Sequence, residues 1–334
     1  MNVWSFGLSC NRVILVLIYD WGGMFLISNN SLKRPWNTQI ELTFGCDNRC
    51  SMCYKQVLDK PKDSFEFMKL STARVISGKM RDAGWNGIRL EFAMRGEPLL
   101  NPYFFRIIKV FREAMPDSQI MVTTNGNHLT PDKVKQYFRA GGNIFLVDCY
   151  HNDLEERKVL FKDFRVVDYY DDDFNPYYRN DVKRTHVVCL IDSIVKRTGE
   201  SKTRVLLNMG GNVDFKRVKH FGLTPLSEPY CKKCVKPFRE IIFMFDGSIP
   251  LCCEDAGQEY VLGSIHGIGD LGKFWRYNRK LNIARALLFN KVRNNRPCRF
   301  CDFKGGMRIG LIPPMKVLSK EQVEYYKEVQ DKML

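Results

Sequence analysis

The 334-residue chain is 45% hydrophobic and 13% aromatic, enough to bury one large core or one core and a smaller domain, which excludes a disordered, collagen-like or coiled-coil protein. Its 52 Lys and Arg against 37 Asp and Glu leave a net charge of +15, which suits an acidic partner (a nucleic acid, an acidic peptide or a reductase docking face) as well as it suits a solvated basic surface. Twelve cysteines, grouped mainly within 46–53, 231–253 and 298–301, read as metal sites rather than as the disulfide framework of a short secreted chain.

Residues 1–36 form an N-terminal extension. The apolar run 13–18 is too short to span a bilayer, and no clean small-residue cleavage site follows it. Met24 is an alternative start to Met1, because patterned sequence begins only near Trp36. From residue 37 the chain alternates strand and helix signals. Strands are predicted over 39–44, 88–92, 119–123, 144–147, 165–167, 186–191 and 204–208. Helices are predicted over 70–85, 103–113 and 131–140, the last opened by Thr130 as N-cap. Strands separated by helices imply a parallel sheet with right-handed crossovers, and active groups at the carboxyl ends of its strands. The acidic, then aromatic, stretch 171–180 reads as a surface loop. Near residue 225 helical periodicity gives way to Cys, Pro and Gly punctuation, with a hairpin predicted over 240–251 through Asp246-Gly247. The expected organisation is a barrel over 37–225, a metal-stapled domain over 226–305 and a charged helical tail over 306–334.

The first cysteine group, Cys46-x3-Cys50-x2-Cys53, lies on a loop directly after a predicted strand. Three thiolates on one short loop can bind three irons of a cubane and leave the fourth iron open, whereas four cysteines close a cluster for electron transfer. Zinc would want a fourth ligand at Cys-x2-Cys spacing nearby, and none is there.

This loop resembles the signature of the radical S-adenosylmethionine (SAM) superfamily. The resemblance implies a partial (β/α)6-type parallel barrel, an α/β fold, followed here by a small cysteine-rich domain. It also implies a [4Fe-4S] cluster on Cys46, Cys50 and Cys53, with SAM chelated at the open iron. Members usually carry an aromatic residue before the third cysteine, packed near the adenine; here it is Met52. Met94-Arg95-Gly96-Glu97-Pro98 resembles the family's Gly-Gly-Glu-Pro motif, which gathers the SAM amino group, with Arg95 in place of the first Gly. By that resemblance Gly96, Glu97 and Pro98 bind SAM, and Thr124 and Asn125, after the next strand, face the ribose. Asp148, after the fourth strand, matches a position that often faces the barrel interior, although a loop-facing carboxylate is the ordinary alternative.

The carboxyl-terminal cysteines resemble a SPASM domain, which holds auxiliary iron–sulfur clusters; the Cys234-x12-Gly247-x4-Cys252 spacing is the most specific part. Asn208-Met-Gly-Gly-Asn212 resembles a short motif that precedes such domains. With no cysteine after Cys301, the shortened single-cluster (twitch) form is expected, with Cys234, Cys252, Cys298 and Cys301 as ligands of one auxiliary [4Fe-4S] cluster. Cys231 and Cys253 are alternatives to Cys234 and Cys252, and a zinc ribbon suits the same four cysteines.

The resemblance implies a cytoplasmic oxidoreductase, reduced by a flavodoxin- or ferredoxin-type partner. It would cleave SAM to a 5′-deoxyadenosyl radical that abstracts hydrogen from a peptide or from an alcohol or sugar. The competing expectations are a non-enzymatic zinc- or cluster-containing RNA-binding protein, suggested by the net charge, and an electron carrier, against which the open three-cysteine site argues.

Overall fold

The computed structural model describes residues 19–20, 23–24, 32–50, 53, 64–149, 153–169, 186–192, 208–219, 223–303 and 317–333. Met52, the apolar run 13–18, the loop 171–180 and all but the last residue of the strand predicted over 204–208 lie outside them. Among the described residues no helix is long and apolar enough to cross a membrane.

Two short antiparallel strands, β1 (Tyr19–Asp20) and β2 (Gly23–Met24), precede the main body. The chain then runs β3 (Asn37–Ile40), β4 (Thr43–Phe44), β5 (Glu66–Phe67), α1 (Leu70–Asp82), β6 (Arg89–Phe92), α2 (Phe104–Ala114) and β7 (Gln119–Thr124). It continues α3 (Pro131–Arg139), β8 (Ile144–Cys149), α4 (Leu154–Leu160), β9 (Val166–Asp168) and β10 (Val187–Asp192). The carboxyl-terminal part adds α5 (Phe215–Val218), α6 (Lys236–Arg239), β11 (Glu240–Phe243), β12 (Ser248–Pro250), β13 (Val261–Ser264), α7 (Leu271–Tyr277), α8 (Arg279–Phe289) and α9 (Lys320–Asp331).

Seven strands form one sheet in the order β11-β3-β6-β7-β8-β10-β9, and every pairing in it is parallel. The helices form where the sequence repeats apolar residues with helical period. In α2, Phe104, Ile107, Ile108 and Phe111 are all buried, each contributing about 1.5–3 kcal/mol by leaving water. Thr130 caps α3 as expected, its hydroxyl accepting from the Lys133 N–H, with Pro131 as the first helical residue. The two faces of the sheet differ. Phe145 and Val147 of β8 join Ile120, Val122, Val188 and Leu190 in the core shared with the helices. Ile144 and Leu146 point the other way, into a smaller cluster with Met121, Val187, Cys189 and Ile191, because successive strand residues alternate faces. This is an α/β partial barrel with its inner face lined from several strands.

Two strand expectations need correction. The strand predicted over 39–44 breaks after Ile40, and β4 pairs antiparallel with β5 instead, so the cysteine loop leaves and returns through a short ribbon. In the predicted hairpin over 240–251 the turn is present, with the Gly247 N–H donating to the Met244 carbonyl. Its first strand, however, pairs in parallel with β3, extending the main sheet, and β12 pairs with β13. Local turn chemistry identified the reversal, but the apolar Ile241 and Phe243 are buried in the main core. That burial draws β11 onto the sheet edge beside β3, in preference to a two-stranded hairpin of marginal stability.

One hydrophobic core runs through both parts of the chain: Ile249, Leu251, Tyr260, Leu262 and Trp275 belong to the cluster that contains Ile76, Met80 and Trp85. Trp85 and Trp275 meet edge to face with ring centres 6.2 Å apart. The tail helix α9, opened by a Ser319/Gln322 capping box, packs Tyr326 against Ile283 and Leu287 of α8.

Candidate functional site

The carboxyl ends of β3, β6 and β7 bring the three amino-terminal motifs together. The strand end at Gly96 runs beside the start of the cysteine loop: Gly45 and Gly96 form a parallel bridge, and the Glu97 N–H donates to the Gly45 carbonyl at 2.9 Å. A Cβ on Gly96 would lie 2.6 Å from that carbonyl oxygen and closer still to the Thr43 carbonyl oxygen. Glycine at this position is therefore a packing requirement. Met94, two residues earlier, has φ 110°, a conformation that costs a non-glycine residue of order 1–3 kcal/mol and clusters at functional sites.

Glu97 is 2% exposed. Its Oε1 accepts from the Leu99 N–H at 3.0 Å and the Thr124 hydroxyl at 2.7 Å, and its Oε2 accepts from the Asn125 N–H at 2.8 Å. Burial pushes its carboxyl above the usual glutamate range, although those donors oppose the shift. Asn125 reaches onward, its Nδ2 donating to Cys46 Sγ at 3.4 Å and to Asp47 Oδ1 at 2.8 Å. Glu97, Thr124, Asn125 and Cys46 are thus one hydrogen-bonded chain. Pro98, buried, opens the short 3-10 turn that follows. Cys46, Cys50 and Cys53 are half-buried, with the Cys53 N–H donating to the Cys50 carbonyl. Burial pushes the Cys46 thiol up to about 12, and the Glu97 and Asp47 charges add to the shift.

The sequence reading passed over Asp47, Asn127 and His128. Asp47 accepts from Asn125 and Asn127 and pairs with His128 at 3.1 Å. Burial opposes its charge, but the Asn127 and Asn125 donors prevail and hold its carboxyl below the usual range. The available signal was position alone: Asp47 follows the first cysteine, and Asn127-His128 follow Asn125-Gly126. Asp148 is buried, on the same face of β8 as the inner-cluster residue Leu146.

Arg95, which departs from the family motif, has a structural task. It is 8% exposed and makes a bidentate pair with Glu41, Nε to Oε1 at 2.7 Å and NH2 to Oε2 at 2.8 Å, Glu41 being fully buried. Its NH1 donates to the Ala256 carbonyl at 3.2 Å. The strand end after β6 is tied in this way to the segment that carries Cys252.

Cys234, Cys252, Cys298 and Cys301 line one small pocket together with Lys236, Glu254 and Arg293. All four thiols are buried. Burial raises each of them, Cys301 to about 12; the charges of Cys234 and Cys301 add to the rise at Cys298, whereas those of Arg293 and Lys236 oppose it at Cys234. A metal that binds thiolates would remove that desolvation penalty, so the donor set fits a thiolate-bound group. Of the alternatives, Cys231 is exposed, whereas Cys253 accepts from the Lys236 ammonium at 2.7 Å. Lys236 also pairs with Glu254 at 3.1 Å and Glu240 at 3.6 Å. The Asn208 motif braces the last cysteine pair: Asn208 Nδ2 donates to the Phe300 carbonyl at 2.7 Å, and its Oδ1 accepts from the Asp302 N–H. A Cβ on Gly210 would lie 2.6 Å from the Pro297 side chain. Among the described residues no three Cys, His, Asp or Glu groups converge as closely as a single metal ion requires.

Residues 40–171 match the Radical SAM superfamily. A 103-residue stretch is 32% identical to a GTP 3′,8-cyclase of Photorhabdus laumondii, covering 31% of this chain and 30% of that relative. Among solved structures, BtrN in complex with AdoMet and 2-DOIA superposes with a TM-score of 0.60 at 20% identity, over 80% of this chain and 93% of that one. BtrN in an open conformation gives 0.54 at 16% identity, over 80% and 92%. Both likenesses are of fold. The strand-end site therefore lies within the residues, 40–171, that match a radical SAM domain. That match implies a [4Fe-4S] cluster and SAM as cofactors.

Proposed function

We propose that this protein is a radical SAM oxidoreductase in which Cys46, Cys50 and Cys53 hold the catalytic [4Fe-4S] cluster. SAM would lie across Gly96, Glu97, Pro98, Thr124 and Asn125, with Met52 at the adenine. The observation that supports the reading is the hydrogen-bonded run Thr124–Glu97–Asn125–Cys46, in which a buried carboxylate and the Cys46 sulfur share one polar strip. When bound, the cluster and SAM supply a 5′-deoxyadenosyl radical that abstracts hydrogen from the substrate. The residues of this chain do the rest. Glu97 would accept from the SAM ammonium, Thr124 and Asn125 would meet the ribose, and the partial barrel would keep water from the reacting carbon.

Cys234, Cys252, Cys298 and Cys301 are proposed to hold one auxiliary [4Fe-4S] cluster, which can accept the electron left on the substrate and so make the net reaction a two-electron oxidation. The substrate is a peptide or a small alcohol or sugar. The reductant is a flavodoxin- or ferredoxin-type protein drawn to the basic surface, and the setting is cytoplasmic.

The direct test is anaerobic reconstitution with iron, sulfide, SAM and dithionite, followed by chromatography for 5′-deoxyadenosine. Wild type should form it. Cys50→Ala should form none, and Cys298→Ala should retain cleavage while losing about half the bound iron. No 5′-deoxyadenosine from wild type would sink the radical reading, and zinc at the second site would sink the auxiliary cluster.

Glu97 makes a separate prediction. A cation is held only by the ionised carboxylate, and burial raises the Glu97 carboxyl above the ordinary 4.5. SAM affinity should therefore fall as pH drops towards that raised value, beginning at higher pH than an ordinary glutamate would allow. Glu97→Gln should weaken SAM binding about tenfold or more at neutral pH and flatten this dependence. Equilibrium dialysis across pH 5.5 to 8 measures both; an unchanged profile in the variant would remove Glu97 from the binding site.

A further inference from the structure

Two buried cations line the cavity of the four thiols, and they differ in one respect. Lys236 is balanced on the spot by Glu254 and Glu240 and donates to Cys253. Arg293 is 3% exposed and pairs with no carboxylate among the described residues. Its Nε donates to the Lys232 carbonyl at 3.2 Å and its NH1 to the Cys301 carbonyl at 3.3 Å. Its NH2 is buried with no hydrogen-bond partner. An isolated guanidinium in such a place costs several kcal/mol unless an anion compensates it. Among the described residues the place for a compensating charge is the cavity that Arg293 lines, and the ionisable groups there besides Lys236 and Glu254 are the cysteines. A four-thiolate iron–sulfur cluster carries net negative charge and gains one more unit on reduction.

We infer that Arg293 is the counter-charge of the auxiliary cluster and sets its reduction potential, holding it high enough to take an electron from the substrate radical. The inference rests on the auxiliary-cluster reading above. Arg293 acts through the field at the cluster and through the Cys301 carbonyl it holds, so it is a positioning residue and touches no substrate. A fixed positive charge beside the cluster favours the more negative, reduced form. Lys236 contributes less, because its own carboxylates screen it. After a hydrogen atom has left the substrate carbon, the remaining electron would pass to the cluster and the proton of the adjoining O–H, N–H or S–H would leave to solvent; a flavodoxin- or ferredoxin-type protein would later remove the electron.

The test uses full-length protein in which Cys46, Cys50 and Cys53 are replaced by Ala, so that the auxiliary cluster alone is observed. Iron and sulfide are measured first, then the midpoint potential by dye-mediated titration followed by electron paramagnetic resonance. Arg293→Gln should keep its iron and lower the equilibrium constant for one-electron reduction at least about tenfold, a downward shift of ~59 mV. Arg293→Lys should restore most of it. An unchanged potential in Arg293→Gln with iron in place overturns the inference and leaves the auxiliary-cluster reading standing. Absence of iron at the second site in the parent protein overturns both. Should Arg293→Gln lose its iron, Arg293→Lys decides: a potential close to the parent supports the charge, and a tenfold or larger loss in the reduction constant overturns it.

Discussion

Gly96→Ala is expected to abolish useful SAM cleavage and to destabilise the protein by roughly 3 kcal/mol or more. The added methyl group would press on the carbonyl oxygens of Thr43 and Gly45, which are backbone and cannot swing aside as a side-chain end can. Relief requires the strand end after β6 to separate from the loop that begins at Cys46, breaking the Glu97 N–H to Gly45 carbonyl hydrogen bond. Glu97 would then move away from Thr124 and Asn125. If these groups hold SAM as proposed, a displacement of about 1 Å costs on the order of a hundredfold in rate. The measurements are 5′-deoxyadenosine formation and urea unfolding of the protein before reconstitution. Gly78→Ala in α1, where a Cβ meets nothing within 4 Å, is the control; it should be neutral or stabilise by about 0.5–1 kcal/mol. Equal behaviour of the two variants would show that the close approach at Gly96 has no consequence.

Arg95→Ala should cost about 3–5 kcal/mol, the penalty for leaving one partner of a buried ion pair uncompensated. Glu41 is completely buried, and without the guanidinium its carboxylate keeps, among the described residues, the backbone N–H donors of residue 95 and Phe245. Replacing both partners by groups of similar size, as in Glu41→Gln with Arg95→Met, should recover most of the loss, since no bare charge remains. Urea denaturation of the single and double variants gives the comparison, and an Arg95→Ala loss below about 1 kcal/mol would contradict it. The pair also carries a link between the two parts of the chain. Arg95 reaches the Ala256 carbonyl while Glu41 accepts from Phe245. The substitution that departs from the family motif is therefore accounted for by a cross-chain tie rather than by a change of ligand contact.

Much of this protein was legible in the sequence because the signals were local. The apolar periodicity of α1, α2 and α3 and the continuous apolar run of β8 are set by residues three or four apart in a helix and by burial on both faces in a parallel sheet. The grouping of the cysteines, the glycine at position 96 and the N-cap at Thr130 are likewise readable from near neighbours. The sequence also determined which residue types could serve as thiolate and carboxylate ligands, and in what order along the strand ends.

Only the tertiary structure decided which of these meet. Nothing within a few residues of β11 says that it pairs with β3, some two hundred positions earlier; that choice follows from burying Ile241 and Phe243 in a core built elsewhere. The same holds for the Glu41–Arg95 tie and for the network of Asp47 with Asn125, Asn127 and His128. It holds again for the contrast between Lys236, balanced by two carboxylates, and Arg293, balanced by none among the described residues. Charge in a protein interior is paid for by whatever the fold places beside it. A sequence counts the arginines and glutamates, and only the fold says which of them face each other.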